Sequence, residues 1–103
     1  MSVIVTLRFS GDPDKLEQLA AEQGDMIRGI SARAQERGVI GHRFYGSGDQ
    51  IMVIDEWPDA ESFQEFFAAE QENIGPLMAQ VATSEPEITF WQKVETGDDV
   101  GWE

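Results

Sequence analysis

The apolar residues of this chain switch repeatedly between two spacings, and the order of the switches leaves few architectures open. Over residues 3–9 they alternate, with Val3, Val5, Leu7 and Phe9 to one side and Ile4, Thr6 and Arg8 to the other, the period of a strand. Ser10-Gly11 ends that run. Asp12 then offers an N-cap oxygen, and Pro13 occupies a first helical position, where its missing N–H costs nothing. Leu16, Leu19, Ala20, Ile27, Ile30 and Ala34 follow at close to 3.6 residues per turn, Arg33 and Arg37 favour the carboxyl end of the helix dipole, and Gly38 stops the helix. Gly24 and Gly29 each cost about 1 kcal/mol relative to alanine, so the spacing predicts a break near residue 24 rather than one rod.

Residues 39–45 and 50–57 are β-rich and joined by Gly46-Ser47-Gly48-Asp49, which predicts a hairpin. Pro58-Asp59 opens a second helix with an inner stripe of Phe63, Phe66, Phe67, Ile74, Leu77, Met78 and Val81. Gly75-Pro76 interrupts it, and a kink near Ile74 is expected because proline cannot donate the helical hydrogen bond. Glu85-Pro86 closes the helix and residues 87–94 read as a fourth strand. Residues 95–103 form a polar C-terminal tail in which Val100 and Trp102 are the apolar anchors.

Strand, helix, strand, strand, helix, strand is the split βαβ duplication, an α+β class of ferredoxin-like βαββαβ design. Right-handed crossovers put both helices on one face of a four-stranded antiparallel sheet. The other face is not polar: strand three carries Met52 and Ile54 opposite Ile51 and Val53, and strand four carries Trp91 opposite Phe90. A bare apolar sheet needs a partner, and a second copy packed face to face about a two-fold axis would close a dimeric α/β barrel. A homodimer is therefore expected.

Composition narrows the function classes. A length of 103 residues fits one domain spanning 1–103. Cysteine is absent, which excludes thiol catalysis and cysteine-ligated metals and suits a reducing, cytoplasmic setting. Twenty acidic against seven basic side chains give a net charge of −13, a field that repels nucleic acid and anionic lipid. No basic region leads into an apolar stretch at the start, and no run reaches the roughly eighteen apolar residues of a membrane span, so neither partner is expected. One histidine and no cluster at ligand spacing predict no metal site and no bound cofactor.

His42 is the only histidine, and histidine is the side chain whose ordinary titration lies nearest neutrality, so acid–base chemistry turns to it first. If the hairpin loop holds an even number of residues, His42 shares a face with Asp55, directly or diagonally opposite. Asp55 would then accept the imidazole N–H, set its tautomer and leave a base for a phenol or enol proton. The bland alternative is a histidine that packs and makes one hydrogen bond near a sheet edge. Arg8 would point into the dimer space, where it could hold a carboxylate or phenolate, or simply pair with an acidic neighbour. Trp57, Trp91 and Phe90 suit stacking on a flat substrate ring, and equally suit a core.

Strand, long helix, glycine hairpin and then IMVIDEWPDAESFQEFF resemble the dimeric α/β-barrel proteins of the antibiotic-biosynthesis-monooxygenase type over nearly the whole chain. The sharpest element is Trp57 ending strand three, followed by Pro58-Asp59 and an aromatic-rich helix with Phe63, Phe66 and Phe67. The resemblance implies a small-molecule cavity between sheet and helices, and a cofactor-independent monooxygenase acting on an aromatic or polyketide-like molecule. The alternative it leaves open is a non-catalytic dimer that binds a small ligand or has a structural role. Haem degradation in this fold uses an asparagine on the first strand and a histidine on the second helix, whereas this chain has only Asn73 and His42.

Overall fold

The structure, a computed structural model, describes residues 1–101. Its elements run β1 (Val3–Ser10), α1 (Pro13–Glu22), α2 (Gly24–Glu36), β2 (Gly41–Ser47), β3 (Gln50–Trp57), α3 (Ala60–Ala69), α4 (Gln71–Val81) and β4 (Glu87–Trp91). The strands form one antiparallel sheet in the order β2-β3-β1-β4, the expected ferredoxin-like topology. Among the described residues no helix is long and apolar enough to cross a membrane.

Alternation sets which face of the sheet is covered. Val3, Val5, Leu7 and Phe9 of β1 are buried and stand opposite Trp57, Asp55, Val53 and Ile51 of β3. Onto this face pack Leu19, Ala34, Phe63, Phe66, Leu77 and Val81 from the helices. Trp57 is fully buried between Phe63 and Phe66, with ring centroids 6.1 and 5.3 Å away. A ring burying about 150–250 Å² at ~25 cal/mol per Å² contributes about 4–6 kcal/mol, which makes it a main anchor of the helix layer.

The opposite face carries Ile4, Thr6, Met52, Ile54, Tyr45 and Trp91, with Tyr45 47% and Trp91 53% exposed. The apolar outer face foreseen in the sequence is thus present.

Each helical region is two helices. The first breaks at Gln23, next to the glycine that the sequence marks. The second breaks at Glu70, not near Ile74, and Pro76 is carried inside α4. The cause is long-range: Glu70 is buried and its carboxylate accepts from Arg33 Nε at 2.7 Å and Nη2 at 2.9 Å, with Asn73 Nδ2 adding a third bond at 3.1 Å. Turning Glu70 inward toward α2 ends α3 there. The N-caps follow the sequence: Asp12 accepts from Asp14 N, and Asp59 accepts from Ser62 N at 2.7 Å. That backbone hydrogen bond holds the Asp59 carboxyl below its ordinary value.

The hairpin is tighter than the sequence suggests. β2 runs on to Ser47, leaving only Gly48 and Asp49 as the loop, and Gly48 has a φ of 59°, open to glycine at little cost. β4 stops at Trp91 rather than at residue 94, and Val94 and Val100 are 75% and 84% exposed. Val100 is therefore no anchor within one chain; Trp102 lies outside the described residues. Lys93 gathers the tail locally by pairing with Asp99 at 2.5 Å and Glu95 at 3.3 Å.

Candidate functional site

A two-residue loop is even, and it sets His42 directly opposite Asp55 on the covered face. His42 Nδ1 lies 2.6 Å from Asp55 Oδ1, and Trp57 Nε1 donates to Asp55 Oδ2 at 3.1 Å. Because the carboxylate oxygen accepts, Nδ1 carries a hydrogen, and in the neutral ring Nε2 is then the nitrogen with the lone pair. Asp55 is buried, and each of its oxygens is in direct hydrogen-bond reach of one of these two nitrogens. His42 keeps a third of its side chain exposed and meets Phe44 edge-on with ring centroids 5.1 Å apart.

His42, Phe44 and Asp55 border a cavity of about 130 Å³ between sheet and helices. Its walls are Leu7, Phe9 and Val53 from the sheet, Ile27, Ile30 and Ser31 from α2, Phe63, Phe66 and Phe67 from α3, and Ile74, Leu77 and Met78 from α4. The polar groups in this lining are His42, Asp55 and Ser31. Since His42 and Phe44 are both partly exposed on the edge strand β2, they mark the rim where the cavity meets solvent. The Arg33–Glu70 pair joins α2 to the α3–α4 junction and so ties the helical walls together. Hydrogen bonding to Arg33 holds the Glu70 carboxyl below its ordinary value, and the same bond raises Arg33.

The other four residues singled out in the sequence lie outside this lining. Arg8 is on the outer face and pairs with Glu87 at 3.1 Å, both well exposed. Trp91 shares that face and donates from Nε1 to Thr6 Oγ1 at 2.8 Å. Trp57 is core, and Phe90, on the covered side of β4, meets Phe63 edge-on at 5.8 Å. Arg8 and Trp91 are across the sheet from the cavity, on the outer face where the sequence places Arg8; Trp57 is enclosed by the core, and Phe90 stands behind Phe63, which lines the cavity. Phe44, Phe66, Phe67 and Ser31 stand at the cavity instead; the inward stripe of the second helix was the one signal for two of them. Among the described residues no group of three or more His, Cys, Asp or Glu side chains is placed to hold a metal ion.

No protein-family model and no curated protein matches the sequence. Solved structures do match. A Bordetella bronchiseptica protein described as a candidate antibiotic biosynthesis monooxygenase superposes with a TM-score of 0.72 at 17% identity, covering 90% of this chain and 97% of its own. The chain has the fold of the antibiotic biosynthesis monooxygenases. Within that fold it is also similar to SnoaB, a cofactor-independent oxygenase of Streptomyces nogalater, with a TM-score of 0.67, 19% identity and coverages of 95% and 98%. The Streptomyces coelicolor monooxygenase ActVA-Orf6, solved with nanaomycin D, gives 0.69 at 15% identity, covering 92% of this chain and 89% of that one.

Proposed function

We propose that the protein is a small homodimeric monooxygenase of the cytoplasm that oxidises an aromatic or polyketide-like molecule without a bound metal or organic cofactor. The observation that carries this reading is the 2.6 Å contact of His42 with buried Asp55 at the rim of an aromatic-walled cavity. Asp55 orients the ring and fixes the proton on Nδ1, so Nε2 is ready to take a proton from a bound hydroxyl. The resulting electron-rich phenolate ring reduces oxygen by forming a carbon–oxygen bond to it. Loss of the ring hydrogen and cleavage of the O–O bond then release water and leave a carbonyl, so that a phenol and one O₂ become a quinone and one H₂O. The apolar walls shield the inner part of the ring from bulk water. The description of SnoaB as a cofactor-independent oxygenase supports the class of chemistry.

The second reading, a dimer that binds a small ligand without turnover, is favoured by the nearly all-apolar lining, which would hold a ring with no chemistry at all. In both readings the outer face bearing Tyr45 and Trp91 is the dimer interface, supported by its exposed apolar side chains. Oxygen consumption with phenolic and hydroxyquinone substrates separates the readings: His42→Ala abolishes uptake under the first, and no uptake with wild-type protein across the series overturns it.

A further inference from the structure

Resting on the reading of the cavity as a substrate site, the geometry points to a narrower substrate class: a neutral, single-ring phenol carrying one hydroxyl for His42, in preference to a fused polycycle or an aromatic carboxylate. Three observations converge on it.

The first is size. A cavity of about 130 Å³ is close to the roughly 150 Å³ apolar void that accommodates benzene, and well under the ~300 Å³ at which pockets for larger ligands begin. One ring fits inside, and substituents on it project past Phe44 and His42 at the rim. Three fused rings would have to part α2 from α4 against the Arg33–Glu70 pair.

The second is charge. Among the described residues no lysine or arginine lines the cavity. Arg33, on the same helix as Ile30 and Ser31, is engaged through two nitrogens by Glu70; Arg8 is paired with Glu87 and Arg43 stands beside Tyr45, both across the sheet. A carboxylate entering here would lose its hydration beside Asp55 with no lysine or arginine to pair with, in a chain of net charge −13.

The third is hydrogen-bonding capacity. Both Asp55 oxygens are taken by His42 and Trp57, so His42 Nε2 is the acceptor that the Asp55–His42 pair offers a ligand. A hydroxyl satisfies it, an alkyl ring leaves it bare, and a carboxylate brings only acceptors.

The test is calorimetric titration of the wild-type protein near pH 7 with four probes: 2-propylphenol, propylbenzene, 2-propylbenzoate and 2-hydroxyanthraquinone. The phenol should bind about tenfold tighter than propylbenzene, the worth of one well-placed hydrogen bond, and both should bind tighter than the benzoate and the tricycle. In His42→Ala the phenol's advantage over propylbenzene should vanish. Met78→Trp, which fills the cavity, should abolish phenol binding while a cooperative thermal melt reports an intact fold. Equal or tighter binding of the benzoate or the tricycle overturns the inference. The two proposals fail separately: oxidation of the tricycle without phenol binding overturns this one alone, and the selectivity described here with no oxygen consumption by any probe overturns the monooxygenase reading alone.

Discussion

The indole of Trp57 donates to Asp55 Oδ2 at 3.1 Å, on the carboxylate whose other oxygen holds His42. One side chain that fills the core therefore also braces the pair at the cavity. Trp57→Phe keeps most of the ring but leaves Asp55 Oδ2 buried and short of a donor, which costs about 1–3 kcal/mol. A melting temperature lower by about 4–8 °C per kcal/mol is expected by calorimetry.

Asp55→Asn offers an amide that can donate to Nδ1 as well as accept from it. The ring then carries its hydrogen on Nε2 in part of the molecules, where it cannot serve as a base. Turnover of a phenolic substrate should fall by about 10²–10⁴ for His42→Ala and by a comparable factor for Asp55→Asn, measured as oxygen uptake. Unchanged rates in both variants would remove the base from His42.

The Arg33–Glu70 pair predicts an acid-sensitive helix layer. Arg33 holds the folded-state Glu70 carboxyl below its ordinary value, so the stability it contributes is present above the unfolded value of about 4.3 and is lost as pH falls through the lowered folded value. Exposure of 44% of the Arg33 side chain lets solvent screen the pair, so the effect is modest. Urea melts between about pH 6 and pH 3 should show a shallower acid decline for Glu70→Gln than for wild type.

Tyr45 and Trp91 on the outer face predict the assembly. Ile54→Lys or Trp91→Glu places a charge in an apolar interface and should convert a dimer to a monomer in sedimentation velocity, with helix content retained by circular dichroism. A wild-type monomer at micromolar concentration would contradict the dimer itself.

Much of the site was legible in the sequence because it depends on parity. The side-chain period of a strand is two, so any even hairpin loop puts His42 and Asp55 on one face; Gly48-Asp49 supplies the even number. Asp12 and Asp59 announce both helix starts, since a cap bonds within its own turn. The cavity was harder to read. Phe66 and Phe67 look alike as helical stripe residues, and only the packing of four helices against the sheet leaves a void beside them. Arg8 shows the converse: its face was readable, but Glu87, its partner, lies on a strand 79 residues away.

By itself the sequence determined the order of the elements, the two faces of the sheet, the two capped helix starts and, for an even hairpin loop, the shared face of His42 and Asp55, because each follows from repeats and caps that span only a few residues. Tertiary structure decided the break at Glu70, the donation of Trp57 to Asp55, and the volume and polarity of the cavity. Those depend on which distant surfaces meet: a carboxylate is turned inward only when a guanidinium from another helix is there to receive it, and a void exists only where side chains from separate elements fail to fill the space between them.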